Sequence, residues 1–230
     1  MTAALLLTAL LSATPAVSPT DVRPTVAIMY FDYDGPDASL AVLKKGFAQI
    51  LITDLSAIET LRFVERARLQ DVLDEQKLGL SAKMDKSTVV RIGKLLGARY
   101  IVTGGYFDLS GALRVDARTI DVETGEIRGV GATGTAGEFM ELEEKLAAGL
   151  AKVLVAQADP KAVVPTAITT NRNARGLAKK AKIKSIVSYS KALDAKDRKD
   201  TETAKKELQV AVAAEPELGL AANELKALMR

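Results

Sequence analysis

Three consecutive strand patterns between residues 98 and 135 constrain the fold of this chain more than any other feature. They read ARYIVTGGYFDL at 98–109, ALRVDARTIDV at 112–122 and EIRGVGATGT at 126–135. Only SG and ETG connect them, and connections of two or three residues join neighbouring antiparallel strands. The segment therefore predicts an antiparallel three-strand meander. Apolar and polar residues alternate along its middle strand, so one face should be core and the other wet or covered by a partner.

Strand and helix patterns precede and follow this meander. RPTVAIMYF at 23–31 is a nearly continuous apolar run, as expected of a strand covered on both faces. Helical spacing of apolar residues follows at 40–58, a short strand at 61–65, two helices at 69–76 and 85–96, and a long helix after the meander. The order β-α-β-α-α-β-β-β-α predicts an α/β (α+β) fold, in which helices pack against a mixed sheet that contains the meander.

The chain divides into four predicted segments. They are a signal-like apolar segment at 1–18, an α/β domain at 22–156, a linker at 157–172 and a basic α-helical extension at 173–230. The linker carries two prolines and no helical stripe. In the extension, four residues follow the spacing of a tetratricopeptide-type repeat: Ala204, Leu208, Ala211 and Pro216. One such helical hairpin cannot bury its own apolar face, so we expect it to dock on the α/β domain, on another copy or on a partner.

The first residues, MTAALLLTALLSATPAVSP, resemble the apolar region and cleavage zone of a secretory signal. The run is shorter than the roughly 20 apolar residues that span a bilayer. Nothing between Met1 and Thr20 is charged, so either the true start lies upstream or the signal is atypical. The alternative is an apolar N-terminal helix of a cytoplasmic protein. We expect export, and since no Cys follows the run, we do not expect a lipid anchor on an N-terminal Cys.

The composition argues against an enzyme. The chain has no Cys, His or Trp, which removes thiol nucleophiles, Ser/His triads, disulfides and the usual zinc and haem ligands. An acidic cluster, Asp32, Asp34 and Asp37, fails the EF-hand register because Gly35 is misplaced and Leu43 stands where a bidentate Glu belongs. We interpret it as a turn with a helix cap at Asp37. No catalytic residue, cofactor or metal is predicted.

Three glycines in the last meander strand form a nominal dinucleotide fingerprint. Gly129, Gly131 and Gly134 spell G-x-G-x-x-G ahead of a helix. The pattern follows a hairpin rather than opening a βαβ unit, and no strand that ends in an acid follows about 20 residues later. Close packing or a subunit contact explains these glycines more simply.

Positive charge is concentrated in one segment. Residues 161–193 hold eight cations and no acid, although the net charge of the chain is only +3. Nucleic acid, anionic lipid, cell-wall polymers and the acidic remainder of the same protein are candidate ligands, and a solvated helix face is the alternative. Aromatic side chains are not interleaved, which argues against a stacking platform for single strands. The predicted basic patch comprises Arg172, Arg175, Lys179, Lys180, Lys182 and Lys184.

Two further groups of charged residues are candidate structural or interface sites. RFVERARLQDVLDEQ at 62–76 places Glu65, Arg66 and Arg68 where a helix begins, and the helix dipole there disfavours positive charge. We expect Glu65 to serve the helix N-terminus and Arg66 to pair with an acid elsewhere. The candidate acids are Asp34, Asp37 and Asp121.

The second group lies on the polar side of the middle meander strand, where charged residues alternate with apolar ones: Arg114, Asp116 and Arg118. They form either an interface or an exposed sheet face with ion pairs worth about 0.2 to 1 kcal/mol.

Four blocks of sequence together resemble a family of bacterial envelope proteins. The blocks VAIMYFDYDG, FVERARLQDVLDEQKLGLS, IGKLLGARYIVTGGY and LRVDARTIDVETGEIRGV are similar in order and spacing to the domain shared by CsgG-like, FlgO-like and LpoB-like proteins, and to the TolB N-terminal domain. The resemblance covers about residues 24–156. It implies a non-enzymatic assembly, secretion or interaction component of the periplasm or outer membrane. Such a protein acts by oligomerisation and binding of envelope proteins.

A function of a different class uses the glycine strand and the basic segment. On this alternative the chain is a cytoplasmic nucleotide- or nucleic-acid-binding protein. Export would remove nucleic acid from the candidate partners and leave protein, anionic lipid or cell-wall polymers.

Overall fold

A computed structural model describes residues 22–78, 85–165, 172–178 and 180–230. The predicted signal-like segment at 1–18, the turn around Gly79, most of the second half of the linker and Lys179 lie outside these ranges. The described strands are β1 Thr25–Ile28, β2 Asp32–Tyr33, β3 Arg62–Phe63, β4 Tyr100–Leu109, β5 Ala112–Asp121 and β6 Ile127–Thr135. The described α-helices are α1 Ala38–Ala41, α2 Lys44–Leu55, α3 Arg66–Glu75, α4 Lys86–Leu95, α5 Phe139–Ala158, α6 Ile183–Asp197, α7 Thr201–Ala214 and α8 Gly219–Leu228.

The six strands form one mixed sheet. Its order is β3-β1-β4-β5-β6, and β2 pairs with the upper part of β4. β1 runs parallel to both β3 and β4, while β4, β5 and β6 are antiparallel. The parallel strand β1 is buried along its whole length, as its continuous apolar sequence predicts.

The structure confirms the predicted fold class, the meander and the C-terminal helices. Asp37 and Asp85 cap α1 and α4 by accepting hydrogen bonds from the backbone N–H groups of Ser39 and Thr88. Gly97 ends the α4 region with a φ of +64°. Three details differ from the prediction: the helix expected at 40–58 is broken into α1 and α2, β2 adds a strand of two residues, and the extension carries a third helix, α8.

One hydrophobic core joins the sheet to α2, α5 and the extension. On the first face of the sheet, Phe47 of α2 meets Phe31 and Phe139 edge to face, with ring centroids 5.0 and 5.5 Å apart. α5 covers β5 and β6 on this face, and Leu142 and Gly149 contact β6 there. On the second face, α4 packs near the start of β4, and the described residues leave most of the meander uncovered on that side.

The extension docks on α2 of the α/β part. Gly46 allows a close approach of α2 and α6, because a Cβ at this position would lie 2.1 Å from Oγ of Ser190. The same hydroxyl accepts a hydrogen bond from Gly46 N–H at 3.1 Å. Tyr189 and Leu193 of α6 are fully buried in the common core. The helical hairpin therefore buries its apolar face on its own chain, one of the three docking modes predicted above.

A buried ion cluster fixes this contact between α3, α2 and α6. Arg66, the first residue of α3, donates two hydrogen bonds to Asp197 at 2.7 and 2.9 Å, and only 5% of its side chain is exposed. Lys45 of α2 donates to the same carboxylate at 2.7 Å and to Asp194 at 2.8 Å. Burial alone raises the pKa of Asp197, but the hydrogen bonds from Arg66 and Lys45 hold it below its usual value.

The acid that pairs with Arg66 is therefore Asp197, and the predicted candidates Asp34, Asp37 and Asp121 are wrong. Asp197 comes from the last turn of α6, 131 residues further along the chain. Asp121 instead accepts from Arg99 and from backbone N–H groups of its own turn. Glu65 occupies the N-cap position of α3, but its side chain makes no capping hydrogen bond.

A second buried cluster holds the segment before α6. Arg172 lies 2.9 Å from Asp54, donates to Glu143, and reaches Glu144 at 3.1 Å. Arg175 donates to Asp54 at 2.8 Å. The carboxylates of Asp54 and Glu143 are completely buried, so burial raises the pKa of both, and the neighbouring Asp54 raises that of Glu143 further.

The predicted basic patch is thus wrong for two of its members. The guanidinium groups of Arg172 and Arg175 turn inward because buried carboxylates of α2 and α5 need a cation. Lys180, Lys182 and Lys184 are exposed, and Lys180 lies 3.9 Å from Glu141. The acidic remainder of the same protein, one of the candidate ligands considered above, is what the two arginines bind.

We predict that Arg66→Ala destabilises the protein far more than Arg68→Ala. Removal of Arg66 leaves the buried carboxylate of Asp197 short of a partner, which typically costs about 3 to 5 kcal/mol. Arg68 is exposed on the same turn, and surface substitutions usually stay within about 0.5 kcal/mol. Thermal or denaturant unfolding of the two variants measures the difference. Equal melting temperatures would contradict the assignment.

Arg172→Met is expected to cost most stability near neutral pH and less in acid. Without the guanidinium, the buried carboxyl groups of Asp54 and Glu143 lose a cation that lowers their pKa values, so ionising them in the folded state costs more free energy. Both carboxyls have folded-state pKa values above their unfolded values, so the folded variant binds more protons and loses stability as pH rises above about 4.5. Urea unfolding from pH 4.5 to pH 7 tests this, with Lys182→Met as the exposed control. A penalty that is the same at both ends of this range would refute the role of the two carboxylates.

Candidate interaction surface on the meander

The second face of the meander is open to solvent over most of its length. We define the meander face as the side of β4, β5 and β6 that carries these residues: Gly105, Phe107, Leu109, Arg114, Asp116, Arg118, Ile127, Gly129, Gly131 and Thr133. A Cβ on Gly93 of α4 would contact Ile101 and Val122, so this helix covers the face only at its lower end. Phe107, Leu109 and Ile127 remain 37%, 68% and 48% exposed. Apolar side chains therefore stand on an uncovered sheet surface.

A shallow groove of about 560 Å³ runs across this face. Its floor is largely backbone, because glycines stand at four of its positions, Gly104, Gly105, Gly129 and Gly131. A Cβ on Gly131 would lie 2.8 Å from Oδ1 of Asp116, so this glycine makes room for the neighbouring carboxylate. A Cβ on Gly129 would meet no atom of the described residues closer than 4.0 Å, so packing against these residues does not require a glycine here.

Three charged side chains stand on the middle strand of the face. Arg114 donates to both carboxylate oxygens of Asp116 at 2.8 and 2.9 Å, and this hydrogen bonding lowers the pKa of Asp116. The pair is half exposed, so it contributes little to stability. Arg118 is exposed as well, and among the described residues it has neither a hydrogen bond nor an ion pair. One cation of the face is therefore available to an external acid.

Strand β6 is a free edge of the sheet in the described part of the chain. Asp121 N–H donates to the carbonyl of Glu126, and antiparallel ladders alternate, so the even-numbered residues of β6 bond to β5. The backbone groups of Ile127, Gly129, Gly131 and Thr133 therefore point away from the sheet. Edge strands are usually protected from pairing with other chains by Pro, by Lys or by a bulge. Strand β6 contains neither Pro nor Lys, and it pairs with β5 over nine consecutive residues without a bulge.

The structure brings some predicted site residues together and separates others. Arg114, Asp116 and Arg118 lie side by side on the meander face, while the Arg66 and Arg172 clusters lie inside the protein. Ala204, Leu208 and Ala211 of α7 are buried packing residues, and Pro216 is exposed in the turn after α7. The role of all these residues as interface sites stays a prediction.

Sequence reasoning missed the residues that flank the charged strand. Phe107 and Ile127 lie across from Arg114 and Ile120 on the two neighbouring strands. The strand register implied by the short turns would have placed them on this face. Asp54, Glu143 and Asp197 were also missed, and no local pattern distinguishes them from exposed acids.

The structure bears on two sites considered from the sequence, a metal site and the glycine fingerprint. In the described ranges, no three or more Asp or Glu residues converge in a way that could hold a metal ion. A separate finding is that no helix of the described residues is long and apolar enough to cross a membrane. The glycine fingerprint lies within β6, whose backbone faces β5 and the open edge, and not in a loop that leads into a helix N-terminus. The chemistry available on the face is main-chain pairing, apolar contact and one unpaired guanidinium.

Several solved structures share part of this fold. The LpoB C-terminal domain from Salmonella enterica is 15% identical, with a TM-score of 0.40 over 49% of this chain and 82% of the other. Lipoprotein GNA1162 from Neisseria meningitidis is 11% identical, with a TM-score of 0.42 over 48% and 79%. The PelC dodecamer from Paraburkholderia phytofirmans is 15% identical, with a TM-score of 0.37 over 64% and 94%. No functional conclusion rests on these distant similarities.

No curated protein matches the chain. Residues 7–110 match the family model described as "Curli production assembly/transport component CsgG". The match includes the parallel strands, α1 to α4 and the whole of β4, and it ends at the turn before β5. Residues 7–110, a little less than half of the chain, are thus similar to the CsgG family.

Proposed function

We propose that this protein is a non-enzymatic assembly, secretion or interaction component of the bacterial cell envelope, which works by binding proteins and by oligomerising. The single observation that carries the proposal is the meander face, an open sheet surface with a free edge. The CsgG family match supports the envelope setting.

The physical properties of the face favour a protein partner. Exposed Phe107 and Ile127 offer apolar contact at opposite sides of the groove, and the glycine floor lets a partner approach the backbone closely. Protein interfaces combine apolar contacts with polar and charged ones, and Arg114, Asp116 and Arg118 provide charges on the strand between the two apolar residues. An unprotected edge strand adds main-chain donors and acceptors for a partner strand.

The alternative of nucleic-acid or nucleotide binding has no comparable support in the structure. Two of the cations on which it depends, Arg172 and Arg175, are engaged with buried carboxylates. A phosphate would therefore have to compete with Asp54 and Glu143 for them.

We also propose that the protein is exported to the periplasm or the outer membrane, as expected from the sequence.

Site-specific photo-crosslinking in the producing cells tests this function. A photoreactive amino acid at Phe107 should yield covalent adducts with protein, because this side chain stands on the proposed binding face. The same amino acid at Glu202 of α7 is the matched control, since that residue is exposed and does not belong to the meander face. We expect adducts at Phe107 only, and recovery of the protein with the periplasmic or outer-membrane fraction.

Two results would contradict the proposal. The first is a protein confined to the cytoplasm whose retention on DNA depends on salt, which would favour the nucleic-acid alternative. The second is the same crosslinking pattern at Phe107 and Glu202, which would remove the meander face as the specific binding surface.

A further inference from the structure

We infer that the free edge of β6 pairs with β6 of a second copy of this chain, in antiparallel orientation, to give one continuous sheet across a two-fold axis. This inference deepens the proposed function, because it names the surface and the partner through which the protein oligomerises. It is argued from the strand register, the glycines of the edge and the charges beside them.

The backbone of β6 is ready for such pairing. The outward groups belong to Ile127, Gly129, Gly131 and Thr133, and pairing Gly129 with Gly131 of the second copy matches all four with their counterparts. Each hydrogen-bonded pair of an antiparallel ladder exchanges two bonds, so the interface gains about eight main-chain hydrogen bonds. Val130 then faces Val130 of the second copy at the two-fold axis, and β-branched side chains pack well in such cross-strand positions.

Charge selects this register. Arg118 lies directly across from Gly129, and Asp116 lies directly across from Gly131. In the proposed register, one row across the joined sheet reads Arg118, Gly129, Gly131 of the second copy and Asp116 of the second copy. Strands lie about 4.8 Å apart, so the two charged residues are about 14 Å apart at their Cα atoms, and no side chain stands between them. The two-fold axis generates a second, equivalent row, in which Asp116 belongs to the first copy and Arg118 to the second.

Neighbouring registers bring like charges together. If the second copy is shifted so that its Thr133 faces Gly129 of the first copy, the row runs from Arg118 of the first copy to Arg114 of the second copy, which are both positive. If Gly129 of one copy faces Gly129 of the other, the row has Arg118 at both of its ends. The proposed register instead gives the unpaired Arg118 an acid across the interface, where charge complementarity fixes register and orientation.

The features of the edge fit its own copy better than an unrelated strand. Within the overlap β6 carries one charged residue, Arg128, and pairing places it opposite Ala132 of the second copy. Packing against the described residues does not require a glycine at 129, but a glycine there leaves the space between Arg118 and Asp116 of the second copy free of side chains. The strand also contains no Pro and no Lys, two residue types that protect edge strands from pairing.

Proline substitutions on the edge test the backbone pairing in the full-length protein. Thr133→Pro removes one outward N–H group within the overlap, without a loss from the β5 ladder. Thr135→Pro makes the same substitution in the same strand outside the overlap, and it is the matched control. Sedimentation velocity over a concentration series should show a dimer for the wild type and for Thr135→Pro. For Thr133→Pro we expect the dissociation constant of the dimer to rise about tenfold or more.

Charge reversal tests the register. Arg118→Asp and Asp116→Arg should each weaken the dimer, because each places like charges in the row across the interface. The double variant with both substitutions should recover dimerisation, since the row then joins Asp at 118 to Arg at 116 of the second copy. Circular dichroism melting of each variant verifies that the fold is retained.

Three outcomes would overturn the inference. A wild-type protein that stays monomeric at every concentration removes the dimer. A dimer that responds equally to Thr133→Pro and Thr135→Pro, or one that the double charge variant does not restore, uses another surface. If the wild-type protein is monomeric and Thr133→Pro abolishes its protein crosslinks at Phe107, β6 pairs with a strand of a different protein. In that case the proposed function stands and this inference is wrong. A β6-dependent dimer found outside the envelope would support this inference and contradict the proposed function.

Discussion

The carboxylate of Asp197 is the interaction on which the arrangement of this protein depends most. Arg66 stands at the first residue of α3, where the helix dipole disfavours a cation, and it is almost completely buried. A buried guanidinium needs an acid close by, and α6 brings one at 2.7 Å. Lys45 joins the same carboxylate from α2, so one acid of the extension compensates two cations of the α/β part. The position of α6 on the sheet domain follows from this requirement and from the close approach at Gly46.

The sequence predicts most elements of the fold because their signals are local. Turns of two and three residues determine the meander, and its alternating pattern assigns Arg114, Asp116 and Arg118 to the polar side. Asp37 and Asp85 mark helix starts through their capping side chains, and Gly97 marks a helix end through its positive φ. In each case the physical cause acts over a few neighbouring residues, which a single sequence displays directly.

The contacts between distant segments were not predictable in the same way. A buried acid and an exposed acid look alike in a sequence, so nothing distinguishes Asp197 from the three candidates considered for Arg66. The run of cations before α6 reads as a surface patch, although Asp54 and Glu143 draw two of them into the interior. The openness of the meander face also depends on tertiary packing, because it follows from where α4 ends on the sheet rather than from the strands themselves.

The docking of α6 on α2 has a consequence for the order in which the paired residues are synthesised. A ribosome releases the α/β part before it releases α6, so Arg66 and Lys45 exist for a time without Asp197. During the same interval, Asp54 and Glu143 lack the arginines that neutralise them. The sheet domain is therefore held short of its final stability until the C-terminal segment arrives. A polypeptide built in this way gains the full stability of its α/β part only after α6 has been synthesised.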